Sequence, residues 1–235
     1  MQKEKCTAII LSAGRGSRMG TKIHKQYLEV DDRPILYFSL KAFQDSPIID
    51  EIVVVVGEGQ KDFVKTAIVE RYGLKKVRHI VQGGAERYHS VWNGLQMVDH
   101  GYVFIHDGAR PFVDEAIIKR AYENVCEHKA CVISMPVKDT IKTADDQGFV
   151  TSTPDRNHVW QMQTPQVFEC ELVKTAYADL MNNEVAGVTD DAMVVERMSG
   201  HPIKLVEGSY ENIKITTPED LEVAKILMKR KNKKL

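Results

Sequence analysis

The chain has 235 residues, 43% hydrophobic and 28% charged, and a formal net charge of −1 from 32 basic and 33 acidic residues. This length and mixture fit a globular chain with a core of its own, as one large domain or two small ones. The near-neutral balance excludes bulk attraction to nucleic acid or to an anionic membrane, so an anionic ligand has to be held by a local cluster. No apolar run approaches the ~20 residues that span a bilayer, and MQKEKC followed by a strand-length apolar run does not read as a secretory signal. Cys6, Cys126, Cys131 and Cys170 form neither a CxxC pair nor a His/Cys cluster with ligand spacing. They read as reduced thiols of a cytoplasmic protein, not as disulfides or zinc ligands.

Ala8 to Leu11 is a brief apolar run with β-branched Ile9 and Ile10 at its centre and reads as a buried strand. Small residues and glycines follow at once, from Ser12 through Ala13, Gly14, Arg15, Gly16, Ser17 and Arg18 to Met19 and Gly20. Such a turn lets the backbone approach a ligand without Cβ clashes and aims several N–H groups at one anion. Arg18 and Lys25 add cations, a combination suited to a triphosphate. The dinucleotide fingerprint does not fit, because the sixth position counted from Gly14 is Met19, and the Gly-Lys-Ser/Thr phosphate loop does not fit either, because Thr21 and Lys22 follow Gly20. A glycine-rich turn with solvated cations is the alternative reading of this stretch, and Lys22 and His24 are expected to be solvated.

Further along, helices are predicted over Pro34 to Gln44, Lys61 to Tyr72, Ser90 to Val98 and Asp114 to His128. Strands are predicted over Ile52 to Val56, Val77 to Val81, Tyr102 to Ile105 and Cys131 to Met135. This alternation predicts an α/β fold with a Rossmann-like, mostly parallel sheet and helices on both faces. Ligands then bind beyond the carboxyl ends of the strands. There the glycine loop, Gly83-Gly84 and His106-Asp107 should meet. Near Pro136 the pattern changes: extended segments flank the turn Asp145-Asp146-Gln147-Gly148, which predicts an extended β-hairpin arm packed on something else, plausibly a second subunit. A helix from Glu169 to Leu180, a helix capped by Thr189-Asp190-Asp191 that runs to Met198, strands at Ile203 to Val206 and Ile213 to Ile215, and a last helix from Thr217 complete the pass. The basic KRKNKKL end reads as a solvated helix terminus. The whole is read as a single domain, 1–235, with 136–159 as the arm.

The stretch Ala13-Gly14-Arg15-Gly16-Ser17-Arg18-Met19 with Lys25-Gln26-Tyr27 resembles the signature of the alditol-phosphate cytidylyltransferases, and among them the 2-C-methyl-D-erythritol 4-phosphate cytidylyltransferase family. Further matches follow in the family's order: Gly83-Gly84 with Arg87 and Ser90-Val91, His106 to Pro111, Pro136 to Thr140, Asp155-Arg156-Asn157, Thr164-Pro165-Gln166, Thr189-Asp190, Glu207-Gly208 and Asn212-Ile213-Lys214. The resemblance implies transfer of CMP from CTP to methylerythritol phosphate, with release of pyrophosphate. A phosphate nucleophile is already anionic near neutral pH, so in-line positioning and charge neutralisation suffice and a general base is not needed.

The resemblance also implies roles. Ala13, Gly14, Arg15 and Gly16 would cradle the triphosphate, while Arg18 and Lys25 would stabilise the transition state and leaving group. Gly84 and Ser90 would read the cytosine. Asp107 would hold Mg²⁺ through a hard carboxylate oxygen. Arg156 and Lys214 would grip and aim the acceptor phosphate, with Arg110, Thr140, Thr164 and Thr189 as further contacts. The arm would cross to a partner in a homodimer and deliver Thr140 and Arg156. Arg87 reads equally as a salt-bridge partner or a CTP contact, His106 as a structural hydrogen bonder, and Asp190 and Asp191 as helix caps in preference to a second carboxylate site. Two departures stand out: Leu11-Ser12 where the family often has Pro-Ala, and Gly108, expected to loosen the backbone, where alanine is commoner. The rival readings are a ribitol-5-phosphate cytidylyltransferase, disfavoured by His106 to Pro111 and by Trp160, and a nucleotide-binding regulatory protein without catalysis. The second would be expected to lack one of Arg18, Lys25, Asp107, Arg156 or Lys214, and all five are present.

Overall fold

The computed structural model describes residues 3–14, 25–183 and 187–232. Arg15, Gly16, Arg18, Lys22 and His24 lie outside the described residues. The first half of the chain forms β1 (Cys6–Ser12), a short hairpin of β2 (Glu29–Val30) and β3 (Arg33–Pro34), α1 (Ile35–Asp45), β4 (Glu51–Val56), α2 (Lys61–Val64), β5 (Val77–Gln82), α3 (Arg87–Leu95) and β6 (Tyr102–Asp107). The second half forms α4 (Glu115–His128), β7 (Ala130–Pro136), the paired β8 (Thr143–Ala144) and β9 (Val150–Ser152), β10 (Trp160–Glu169), α5 (Cys170–Asn182), α6 (Asp191–Ser199), β11 (Lys204–Glu207) and α7 (Pro218–Asn232). Among the described residues no helix is long and apolar enough to cross a membrane.

Seven strands make one sheet in the order β11-β7-β10-β6-β1-β4-β5. All neighbours pair in parallel except β10, which is antiparallel to both β6 and β7. Both faces are covered, which is why the central strands read as continuous apolar runs. Ala8, Ile10, Ile52, Val54 and Phe104 pack with Leu36, Leu40 and Phe43 of α1 and Ile117 and Ile118 of α4. Their alternates Ile9, Val53, Val55, Val103 and Ile105 pack with Val91 and Leu95 of α3, Val173 and Tyr177 of α5 and Val194 of α6. A third cluster seats Ala224 and Met228 of α7 against Val30, Ile35, Phe112 and Ile215. Caps mark the helix starts: the Asp114 carboxylate accepts from Ile117 N at 2.8 Å, and that of Asp190 accepts from Met193 N at 3.0 Å.

Three predicted elements differ. No strand was expected over Trp160 to Glu169, yet β10 is the sheet's longest strand. Pro165, which argues against a strand interior, sits where the β10–β7 register shifts between Met162 and Gln166. Ile213 to Ile215 is not a strand but an irregular segment, anchored where Ile215 N donates to Ala109 O at 2.9 Å. The helix predicted over Lys61 to Tyr72 widens after α2, with Arg71 N reaching Thr66 O. The predicted hairpin forms as β8 and β9, with the Asp145 carboxylate accepting from Gln147 N and Phe149 N at 3.0 and 2.9 Å. Phe149 and Val150 at its end are 68% and 62% exposed.

A hydrogen-bond chain ties β10 to the end of β6. Asp107 N donates to Thr164 Oγ1 at 3.1 Å, and Thr164 Oγ1 lies 3.0 Å from His106 Nδ1. His106 Nε2 lies 3.1 Å from Arg110 O. A carbonyl only accepts, so Nε2 carries the ring hydrogen and Nδ1 accepts from the threonine hydroxyl. The neutral imidazole therefore satisfies every partner, in keeping with the expected structural role. His106 is fully buried, and burial pushes its pKa down from 6.5 to about 4 against the carbonyl and Asp107, which raise it.

Because the folded value lies below the unfolded one, the unfolded chain takes up this proton first. The contribution is whole above pH 6.5 and is lost as pH falls toward 4, by roughly 3 kcal/mol. Denaturant unfolding at pH 7 and pH 5 should show a smaller acid-side loss for His106→Gln than for the parent chain. Equal losses would mean that another group sets the slope.

Candidate active site

The carboxyl ends of β1, β5 and β6 open into a cavity of about 560 Å³, lined by Leu11 to Gly14, Lys25, Gln26, Gly84 to Arg87, Ser90, Asp107, Ala109 and Lys214. The floor is the start of the glycine loop. Gln26, itself buried, reaches under it: Nε2 donates to Ser12 O at 2.6 Å and to Gly14 O at 3.0 Å. Both bonds go to backbone carbonyls, which any residue carries, and Ser12, which stands where the family often has alanine, is buried at 2% exposure.

The opposite wall is the loop from Gly83 into α3. A Cβ on Gly83 would stand 2.5 Å from Ala13 Cβ and 2.7 Å from Ser90 Oγ, so only glycine lets this loop close on the glycine turn. Ser90 Oγ accepts from Gly84 N at 3.1 Å and donates to Glu86 O at 3.3 Å. Its hydrogen is thus engaged within the loop, and only the oxygen remains to accept from a ligand. The first turn of α3 faces the cavity, which favours an anion there.

Asp107 ends β6 between three cations. Lys214 Nζ lies 2.7 Å from Oδ2, Arg87 Nε 3.5 Å from Oδ1, and Arg110 Nε 4.0 Å from Oδ2. Burial alone would raise the pKa of this carboxyl, but Arg87, then Lys214 and Arg110, outweigh it and hold it far below the usual carboxylate range. Arg110 is pushed down from its ordinary value by burial, against the attraction of Asp107. Its Nη1 donates to Asn212 O at 2.8 Å, and buried Asn212 donates Nδ2 to Gln163 Oε1 and Thr164 O at 3.1 and 2.9 Å. These bonds carry the 212–216 segment across the strand ends and deliver Lys214. Gly108 corrects an expectation: it is not a loosened position, since a Cβ there would meet Leu36 Cδ1 at 2.8 Å and Leu11 O at 2.9 Å.

Among the expected residues, Ala13, Gly14, Lys25, Gly84, Ser90, Asp107 and Lys214 line one cavity, with Arg110 and Thr164 bonded beside Asp107. Thr140 and Arg156 stand exposed on the arm, and Thr189 is exposed ahead of α6. Arg87 is a salt-bridge partner, one of the two readings the sequence left open, and it also lines the cavity. Sequence reasoning missed the part played by Gln26, whose only signal was its place between Lys25 and Tyr27. It also missed Asp191, read as a cap but paired to Arg87 through two bonds of 2.8 and 2.7 Å. Among the described residues no group of three or more His, Cys, Asp or Glu side chains could cage a metal.

Residues 6–230 match the family described as IspD, 2-C-methyl-D-erythritol 4-phosphate cytidylyltransferase. The chain is 48% identical over 227 residues to the 2-C-methyl-D-erythritol 4-phosphate cytidylyltransferase of Lachnoclostridium phytofermentans, covering 96% of this chain and 97% of the relative. It is 49% identical over 225 residues to that of Lachnospira eligens, covering 95% and 99%. The crystal structure of 4-diphosphocytidyl-2C-methyl-D-erythritol synthase from Anaerococcus prevotii superposes with a TM-score of 0.86 at 34% identity, over 97% of each chain. That of the cytidylyltransferase from Thermus thermophilus gives 0.76 at 30%, over 94% and 98%. With residues 6–230 matched by that family and relatives at 48% and 49% identity over nearly the whole chain, the chain belongs to the 2-C-methyl-D-erythritol 4-phosphate cytidylyltransferase family.

Proposed function

We propose that the protein transfers CMP from CTP to 2-C-methyl-D-erythritol 4-phosphate, giving 4-diphosphocytidyl-2-C-methyl-D-erythritol and pyrophosphate in isoprenoid precursor synthesis, in the cytoplasm. The observation that carries this reading is the cavity itself, lined by Lys25 and with Arg87, Arg110 and Lys214 around one carboxylate at the strand ends of a chain of this family. An oxygen of the acceptor phosphate forms the new bond to the α-phosphorus of CTP. The bond to the β-phosphate oxygen breaks, and its electron pair leaves with pyrophosphate. The attacking oxygen is already anionic, so no proton has to be removed by the protein, and the His106 imidazole next to Asp107 is buried and committed to Thr164 and Arg110.

The backbone of Ala13 to Gly16 cradles the triphosphate, and Arg18 and Lys25 neutralise charge that develops on it and on the leaving group. The loop at Gly84 reads the base, with Ser90 holding that loop in shape and offering its oxygen as an acceptor. Lys214 and Arg156 aim the acceptor phosphate, and Arg110, Thr140, Thr164 and Thr189 contact the rest of it. A single hard carboxylate beside a phosphate cradle suits Mg²⁺, which binds through one or two carboxylates plus substrate phosphates. Asp107 would hold it, and the ion supplies neutralisation of the phosphate charge when bound. The arm reads as the contact of a homodimer. Its support is the exposure of both its strands and of Phe149 and Val150, since a solitary hairpin is marginal in water.

Pyrophosphate release with CTP, Mg²⁺ and either methylerythritol phosphate or ribitol 5-phosphate tests the acceptor. Release with the first alone is expected, and release with the second alone would move the protein to polyol-phosphate chemistry. Lys25→Ala should lower kcat by about 10²-fold or more with an unchanged circular dichroism spectrum; near-wild-type turnover would remove Lys25 from the transition state. Arg156→Ala should raise KM for the acceptor and leave that for CTP unchanged. If Arg156 acts across a dimer, unfolding and refolding an equal mixture of Lys25→Ala and Arg156→Ala chains, assayed at an acceptor concentration far below the raised KM, should restore about a quarter of wild-type activity, because half the dimers regain one intact site. No recovery would place Arg156 in its own subunit's site.

A further inference from the structure

Arg87 is held from two sides. Its Nη1 and Nη2 donate to Asp191 Oδ1 and Oδ2 at 2.8 and 2.7 Å, a fork on a carboxylate that has no exposed surface. Tyr177, also fully buried, donates its hydroxyl to Asp191 Oδ1 at 2.6 Å. The remaining guanidinium nitrogen, Nε, faces Asp107 Oδ1 at 3.5 Å. One planar group therefore spans two carboxylates, one inside the protein and one at the cavity. The inner end is itself fixed, because Gln166 donates Nε2 to Asp190 Oδ2 at 2.9 Å and accepts from Ala192 N at 2.8 Å, clamping the first turn of α6 onto β10.

The two oxygens of Asp107 thus have different neighbours. Oδ1 faces Arg87, which is immobilised by the bidentate bond. Oδ2 faces Lys214, an ammonium on a flexible and partly exposed stem, at 2.7 Å, with Arg110 Nε farther off at 4.0 Å. An immobilised guanidinium sets the plane of a carboxylate, whereas a lysine follows whatever charge is nearest.

We propose that Asp191, assisted by Tyr177, is a positioning residue for the active site: it fixes Arg87 so that the guanidinium orients the Asp107 carboxylate and leaves Oδ2 as the oxygen open to exchange of partners. This rests on the reading of Asp107 as the metal carboxylate. Groups that orient a ligating carboxylate are worth about 10–100-fold in metal affinity or activity, whereas a merely structural ion pair would change thermal stability and leave ligand affinity alone.

The test is Mn²⁺·CTP binding to the full-length protein, followed by the enhancement of water-proton relaxation over that of Mn²⁺·CTP alone, together with kcat and Tm. Arg87→Lys keeps the charge but cannot grip Asp191 with two nitrogens while facing Asp107 with a third. It and Asp191→Asn should each weaken Mn²⁺·CTP binding about tenfold and lower kcat with it. Tyr177→Phe, which removes only the hydroxyl, should act in the same direction by a smaller factor. If Asp191→Asn does not fold, Arg87→Lys and Tyr177→Phe decide. Folded variants that bind Mn²⁺·CTP as the parent chain does, beside an Asp107→Asn control that has lost it, overturn the positioning role and leave the reading of Asp107 intact. An Asp107→Asn chain that binds Mn²⁺·CTP normally overturns both.

Discussion

A carboxylate withdrawn from water at the end of a central strand has to be surrounded by positive charge, and much of this structure follows from meeting that requirement at Asp107. Its partners come from α3, from the turn after β6 and from the 212–216 segment, stretches far apart in the chain. Leaving one buried charge uncompensated is far more costly than never having buried the pair. The same cluster draws Arg87, Arg110 and Lys214 to one edge of the sheet. A chain with a net charge of −1 thereby acquires a locally cationic cavity without becoming a basic protein. The excess of positive charge around one acid suits a phosphate-rich ligand, and a general base would be redundant beside it.

The parallel part of the fold was readable because burial on both faces leaves a direct trace in composition. The valine run of β4 and the apolar run of β1 had few other interpretations. β10 was hidden for the opposite reason. It is mostly polar over Trp160 to Gln166 and contains Pro165, and it pairs because β6 and β7 flank it, not because its own residues demand a strand. Ile213 to Ile215 misled in the other direction. Ile215 is apolar because it plugs the cluster under α7, with no neighbouring strand to extend.

For the site, the legible residues were those whose side chains or missing side chains carry chemistry locally, such as Gly14, Gly84, Asp107 and Lys214. Topology then put the loops together, since parallel strands end at one edge. Positions that act through others stayed silent. Gln26 bonds two carbonyls of another loop, and nothing in the sequence around it announces those partners. Asp191 carries a perfectly good local explanation as part of a helix start, which concealed its pairing with Arg87, 104 positions away. Gly108 was misjudged because the crowding comes from Leu36 and the Leu11 carbonyl, neither of which is near it in sequence. Thr140 and Arg156 stand on an arm that the rest of the chain does not cover, so their partners are a question of assembly.

The path of the 212–216 segment bears on how the cavity gets its charge. Every described strand of the sheet is complete by Glu207, yet Lys214 reaches Asp107 from a segment whose Ile215 hangs from Ala109 and is packed under α7. The sheet can thus be whole while the cavity is still short of one cation. The charge balance at the strand ends is tied to the docking of a helix none of whose described residues lines the cavity.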